Sequence, residues 1–418
     1  MANTVFTIII IILTLDYLLE RYLDFLNSRA RTHSIPQELS GIYEQDRYVK
    51  SQEYEKVNQQ FSLITSSISF LLTICLLVFG VFGYLDNLVR GISENAVIMA
   101  LLFFGIFGFI ADVFSTPFSL YKTFVIEERF GFNKTTVKTF ILDKLKTWML
   151  GLFIGGGLIS LIVWIYANTG SYFWIIAWLA LSVFSVFITM FYTSLIVPLF
   201  NKLQALGDGE LKTEIEAFAQ KTGFAISGIQ VMDGSKRSQK ANAYFSGLGP
   251  RKRIVLFDTL IKDHPKEELI AILAHEIGHY KKKHTITGML ISFAESAVML
   301  FILGIFIGHP ALSMALGAKV VSFHMGVLAF GLLYSPVSMA LGLLTNYVSR
   351  KNEYQADRFA GENYNPEALQ TALKNLSANH LSNLTPHPAY VFFYYSHPTL
   401  LQRVKMLNTI PGLNTKKS

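Results

Sequence analysis

Long uncharged runs dominate the pattern of apolar and polar positions. Val57–Leu85, Thr147–Asn201 and Val320–Ser349 contain no Asp, Glu, Lys or Arg. A bilayer core about 30 Å thick is crossed by about 20 apolar residues of helix, so the first and third runs predict one span each. The second is long enough for two, with the polar, glycine-containing segment Ala167–Ser171 as the turn between them. Three weaker apolar stretches are Asn3–Glu20, interrupted by Asp16, Asn95–Tyr121, interrupted by Asp112, and Thr285–Gly308, interrupted by Glu295. Together these give seven expected spans. Carboxylates at membrane depth are costly and usually face protein or water, so these three should point away from lipid. The start, Met1–Thr4, has no basic side chain and no clean small-residue cleavage site follows, which predicts a retained anchor rather than a signal peptide.

The polar segments lie between and after these spans. From Lys202 to His284 the pattern predicts a helix over Gly209–Thr222 and β-runs at Gly228–Met232, Ala241–Ser246 and Arg253–Phe257. Gly247–Pro250 reads as the turn between the last two. Beyond Arg350 the chain is mostly polar and helical. The expected organisation is 1–201 for spans one to five, 202–284 for a segment with an edge strand and one further helix, 285–349 for spans six and seven, and 350–418 for C-terminal helices. The fold class is an all-α dominated polytopic membrane protein carrying a small β-sheet.

Composition agrees with this class. Of 418 residues 51% are apolar and 16% charged, against roughly 25% charged in ordinary soluble proteins. The net charge of +7 is unevenly placed. Arg29, Arg31, Arg47, Lys50 and Lys56 follow the first span; Lys122, Arg129, Lys134, Lys138, Lys144 and Lys146 follow the third; the even-numbered loops hold only Arg90 and Lys319. The positive-inside bias then puts the odd loops and the C-terminus in the cytoplasm and the N-terminus outside. Topology accounts for the excess charge, so no nucleic-acid partner is expected. Cys75 is the single cysteine, which leaves His and carboxylates as the donors for any metal.

One motif carries chemistry. Pro265, Glu267 and Glu268 mark a helix start and Lys281–Lys283 its end, so His275-Glu276-x-x-His279 lies within a helix. At 3.6 residues per turn the two imidazoles lie about 40° apart on one face. Such a pair can hold one Zn²⁺, with Glu276 beside it to take a proton from water. With 10 His and 18 Glu in the chain, chance would give about 0.01 such matches. A catalytic zinc usually has a third protein ligand. Glu353 and Asp357, also four residues apart, offer one: Glu353 as ligand, Asp357 as an outer group orienting an imidazole or pairing with a cation. Asn242, on the expected edge strand, could contact a peptide main chain bound by backbone hydrogen bonds. His397, before Pro398 and six residues ahead of Arg403, is a candidate oxyanion partner. The same residue types also occur as a solvated helix rim, a hairpin residue and a surface turn.

Taken together, several segments resemble the type I CAAX prenyl proteases, integral-membrane zinc metalloproteases. They are Thr123–Lys134 (TFVIEERFGFNK), Pro198–Lys202 (PLFNK), Gly209–Lys212 (GELK), Asp233–Ser238 (DGSKRS), Asn242–Phe245 (NAYF), His275–His279 (HEIGH), Glu353–Asp357 (EYQAD), and His397-Pro398 with Arg403. They occur in the family's order from about residue 115 onward. The resemblance implies seven helices enclosing a water-filled chamber, with a cytoplasmic zinc metalloprotease domain. It implies one Zn²⁺ per chain on His275, His279 and Glu353, and Glu276 as general base. His397 and Asn242 would steady substrate and transition state, and Asp357 and Arg403 would form a supporting charged pair. The substrates would be peptides or proteins of CAAX type, prenylated in the family. Lys416 and Lys417 sit one place too late for a dilysine retrieval signal, which points to a bacterial inner membrane. Two other readings are a quality-control metalloprotease with non-prenylated substrates and a zinc transporter.

Overall fold

In a computed structural model the protein is described over residues 1–410, apart from 33, 34, 36, 38–43, 225 and 248–251. The expected turn at Gly247–Pro250 and the C-terminal lysines fall largely or wholly outside the described residues.

The chain is mostly helical. Five helical stretches are long and apolar enough to cross a membrane: Ala2–Arg29, Gln45–Val78, Ala96–Glu127, Val137–Phe200 and His284–Phe306. A sixth is Phe323–Leu333 with Ser335–Asn363, if this pair, bent by 56°, counts as one. Two uncharged runs are therefore not the unbroken helices that hydropathy suggested. Val57–Leu85 breaks at Gly80, which takes φ 64° and closes the helix through its N–H to the Leu77 carbonyl. Left-handed backbone favours glycine at such a helix end. The next helix, Val81–Ile92, is short and amphipathic. Val320–Ser349 breaks at Tyr334, where Pro336 opens a new helix; proline lacks the N–H that would continue the old one. Within Val137–Phe200 the helix ends at Thr169, and Gly170, at φ 51°, turns the chain where a polar turn was expected.

The carboxylates inside the spans each have a partner. Asp112 accepts from Lys144 Nζ at 2.6 and 2.7 Å and from Trp148 Nε1 at 2.9 Å. Asp16 accepts from Ser335 Oγ and Glu295 from Thr345 Oγ1.

The polar segment forms a four-stranded sheet: β1 (Leu203–Ala205), β2 (Ile229–Met232), β3 (Ala243–Ser246) and β4 (Arg253–Phe257), in the order β1-β2-β4-β3. The short strand β1 had no distinct sequence signal. β2 and β4 run parallel, and β3 pairs antiparallel with β4, with Ala243 opposite Leu256 and Phe245 opposite Ile254. β3 is thus an edge strand, as expected.

The helix Lys266–Lys281 is apolar on most sides and is correspondingly enclosed. Leu269 and Leu273 pack with Ile254 and Leu256 of the sheet, while Ile270, Ala274 and Ile277 pack with Phe218, Leu369 and Leu407. Its C-terminal half lies against Ser335–Asn363. Gly278 makes that approach possible: a Cβ there would sit 3.1 Å from the Ala356 Cα and 3.1 Å from its carbonyl oxygen. Those contacts are backbone and cannot rotate away. Gly278→Val should therefore push the two helices apart and destabilise the protein by about 1–3 kcal/mol, lowering the unfolding temperature of detergent-solubilised protein. An unchanged melting curve would show that the two helices tolerate a wider gap.

Candidate active site

Helix Lys266–Lys281 delivers His275 and His279, and helix Ser335–Asn363 delivers Glu353 and Asp357. The imidazole Nε2 atoms are 3.1 Å apart. Glu353 Oε2 lies 3.5 Å from His275 Nε2, and Oε1 lies 3.2 Å from His279 Nε2. Donors about 2.05 Å from a tetrahedral ion would be separated by about 3.3 Å, close to all three distances. Glu353 Oε2 is buried and makes no hydrogen bond among the described residues, although Arg403 Nη1 lies 3.6 Å and His275 Nε2 3.5 Å away, so it keeps acceptor capacity for a cation. His275, His279 and Glu353 thus fit a divalent cation.

The outer groups differ between the two imidazoles. Asp357, fully buried, faces His275 Nδ1 at 2.8 Å and receives Arg403 Nε at 2.8 Å. Arg403 also reaches to 3.6 Å from Glu353. His279 turns its Nδ1 to His284 at 3.0 Å. Sequence reasoning missed His284; its only signal was a histidine five residues after His279.

His397 stands just before helix Leu400–Leu407, largely exposed, with Nε2 3.3 Å from Glu353 Oε1 and Nδ1 2.9 Å from Ser396 Oγ. Asn242 precedes β3; its Oδ1 accepts from the Ala243 N–H at 2.9 Å. Glu276 and Asn242, with His275, His279, Glu353 and His397, line one cavity of about 1680 Å³. Residues 243–246 of β3, which pairs only with β4 among the described residues, border the same cavity, as do Ile188, Tyr192, Ile291 and Val348 from spanning helices.

The segment before β3 is anchored by groups that sequence reasoning did not assign. Lys240 Nζ donates to Tyr54 at 2.9 Å and to Glu127 at 3.2 Å, and Ala241 N–H donates to His380 Nε2 at 3.0 Å. Glu127 ends a π-helical turn, Lys122–Glu127, inside the Thr123–Lys134 motif. That motif therefore ties the membrane helices to the edge strand.

Residues 205–410 match peptidase family M48, and residues 25–202 match the family described as CAAX prenyl protease N-terminal, five membrane helices. The fold and site are those of an integral-membrane metalloendopeptidase. The chain is 35% identical to a CAAX prenyl protease 1 homolog of Dictyostelium discoideum, over 95% of each chain. It is 31% identical to one of Homo sapiens, over 92% of each. A crystal structure of S. mikatae Ste24p superposes with a TM-score of 0.92 at 30% identity, covering 97% of this chain and 99% of that one. The chain belongs to the CAAX prenyl protease family of M48 peptidases.

Burial opposes charge on His275, but Asp357 and Glu353 outweigh it and hold the imidazole up to about 9 in the metal-free protein. A group so raised stabilises the fold fully below its ordinary value of 6.5, and that contribution is lost as pH rises through about 9. A cation binding at Nε2 must displace the proton. Metal-free protein should lose thermal stability between these two pH values. Titration with zinc near neutral pH should release about one proton, read by calorimetry in buffers of different ionisation enthalpy. Absence of proton release would contradict a protonated His275.

Proposed function

We propose that this protein is a zinc endopeptidase that hydrolyses peptide bonds near the C-terminus of prenylated CAAX-type proteins at the cytoplasmic face of its membrane. The observation that carries this reading is the shared cavity: the cation-fitting triple, a neighbouring carboxylate, the terminal strand of the sheet and apolar residues from spanning helices all line it. An edge strand suits an extended peptide, and the apolar wall suits a lipid attached to it. The names of the relatives support the CAAX assignment.

One zinc ion per chain, held by His275, His279 and Glu353, would supply Lewis acidity and a bound water of lowered pKa. Glu276 accepts a proton from the attacking water and returns it to the departing amine. Burial pushes its carboxyl above the ordinary range, with His275 and His279 pulling the other way, which moves it towards the range where a carboxylate both takes and gives a proton. His397, exposed to the cavity, donates to the developing oxyanion. Asn242 contacts the substrate main chain alongside β3. Asp357 and Arg403 orient His275 and brace Glu353.

For topology, we read seven crossings. Val137–Phe200 has 64 residues, roughly 96 Å as one helix, about three times a bilayer core; division at Gly170 makes two spans of it. With the bent pair counted as one, the five stretches become seven. Lys and Arg then collect on the side that holds the peptidase residues 202–284 and 350–418, which favours a cytoplasmic site. The spanning windows bury only 6–17% of their residues, as expected for helices that face lipid on one side and a wet chamber on the other. Asp16, Asp112 and Glu295 have separate partners rather than one converging site, which disfavours ion transport.

Purified protein should cleave a farnesylated CAAX peptide, lose that activity with a chelator, and act much more slowly on the unprenylated twin. Equal rates on both peptides would remove the lipid from the reading. Glu276→Gln should retain stoichiometric zinc but lose at least about 10²-fold in kcat. Wild-type turnover in that variant would reject Glu276 as base.

A further inference from the structure

We propose that His284 is a positioning residue that, with Gln355, fixes the tautomer of His279 so that its Nε2 lone pair is free for the metal. This rests on the reading of His279 as a metal ligand. His284 opens the helix after the metal-ligand helix and is 8% exposed. Its Nδ1 lies 3.0 Å from His279 Nδ1, and its Nε2 lies 3.0 Å from Gln355 Oε1. Gln355 lies two residues from Glu353 on the helix that supplies the carboxylate. A chain of side chains therefore runs from one ligand-bearing helix to the other without passing through the metal position.

Proton accounting gives the chain a direction. Each nitrogen–nitrogen contact needs one donor and one acceptor. For Nε2 of neutral His279 to offer its lone pair to a cation, the ring proton must sit on Nδ1. His279 then donates to His284 Nδ1. His284 carries its own proton on Nε2 and donates it to Gln355 Oε1, the acceptor atom of that amide. Each of the two contacts in the series then has one donor and one acceptor. Reversing the series puts a proton on His279 Nε2 and closes it to metal. The two ligand imidazoles are thus held differently: His275 by the carboxylate of Asp357 at 2.8 Å, His279 by a neutral ring and a neutral amide.

The backbone is shaped to allow this. Lys283 adopts φ 61°, ψ 28°, a left-handed conformation rarely taken by a residue with a Cβ, and its N–H bonds to the Tyr280 carbonyl at 2.8 Å. That single turn separates the two helices and brings the His284 ring to 5.0 Å from the His279 ring, edge on. Strain of this kind concentrates where geometry serves a site.

The test is zinc affinity of the full-length protein in detergent, measured by competition with a chromophoric chelator, together with the visible spectrum of the cobalt-loaded form. His284→Ala should weaken zinc roughly 10–100-fold and shift the cobalt bands. His284→Asn, whose side-chain oxygen can accept where Nδ1 does, should restore most of the affinity and the spectrum. Gln355→Leu, which leaves the His284 ring in place, should give a smaller loss in the same direction and serves if His284→Ala does not fold. His279→Ala is the reference. If it loses zinc while His284→Ala and Gln355→Leu bind normally, the relay is overturned and the ligand assignment stands. Equal impairment of His284→Ala and His284→Asn with an unchanged cobalt spectrum also overturns the relay. If His279→Ala binds zinc normally, the ligand assignment itself fails.

Discussion

The close packing of helix Lys266–Lys281 on helix Ser335–Asn363 is the contact on which the rest of this structure depends. The two segments are some 70 residues apart in the chain and separated by a membrane-spanning helix, yet they meet where Gly278 has no side chain to hold Ala356 away. That distance of approach places one carboxylate between two imidazoles and a second against the back of one of them. Hydrophobic burial sets the approach: the first helix is enclosed by the sheet on one side and by Phe218, Leu369 and Leu407 on another, so it has little freedom to tilt.

Charge then makes the arrangement specific. Asp357 is fully buried, and an unpaired buried carboxylate is strongly unfavourable. Here it is answered by the Arg403 guanidinium, through two hydrogen bonds, and by His275. Burial opposes the charge on Arg403, but Asp357 and Glu353 raise its affinity for the proton further. The C-terminal helix Leu400–Leu407 is thereby tied to the helices that carry His275 and Asp357 by electrostatics as well as by Leu407 in the core. The edge strand is fixed from the opposite direction by Lys240, Tyr54 and Glu127. Residues from the membrane part and from the polar part both border the cavity, and neither part alone would define it.

What was legible in the sequence was whatever rests on local periodicity. The four-residue spacings of His275 with His279 and of Glu353 with Asp357 place each pair on one helical face, whatever surrounds them. The run Ala241–Ser246 announced a strand and was expected at an edge; its place there rests on pairing with β4 at the end of the sheet. Contacts between distant segments were legible only where a motif or the family resemblance linked them, as for Glu353 with His275 and Asp357 with Arg403. Tyr54 with Lys240 and His284 with Gln355 are separated by 186 and 71 residues, and nothing in either neighbourhood announces the other. The breaks inside spans fall between these cases. Gly80 and Pro336 were visible residues, but uniform hydropathy hides a change of direction, because lipid and protein interiors are satisfied by the same apolar side chains. The strand Leu203–Ala205 was too short to show a period.

The helix Ser335–Asn363 has one more consequence. It starts at the Pro336 bend within apolar sequence and runs unbroken to Glu353 and beyond. The 18 residue steps from Ser335 to Glu353 span roughly 27 Å at 1.5 Å per residue. Such a rod acts as a lever: each degree of rocking about the bend moves its far end by roughly 0.5 Å, about the positional tolerance of a working catalytic centre. Rocking of this helix in a membrane of different thickness would therefore shift Glu353 and Asp357 relative to His275 and His279 without changing any residue of the site.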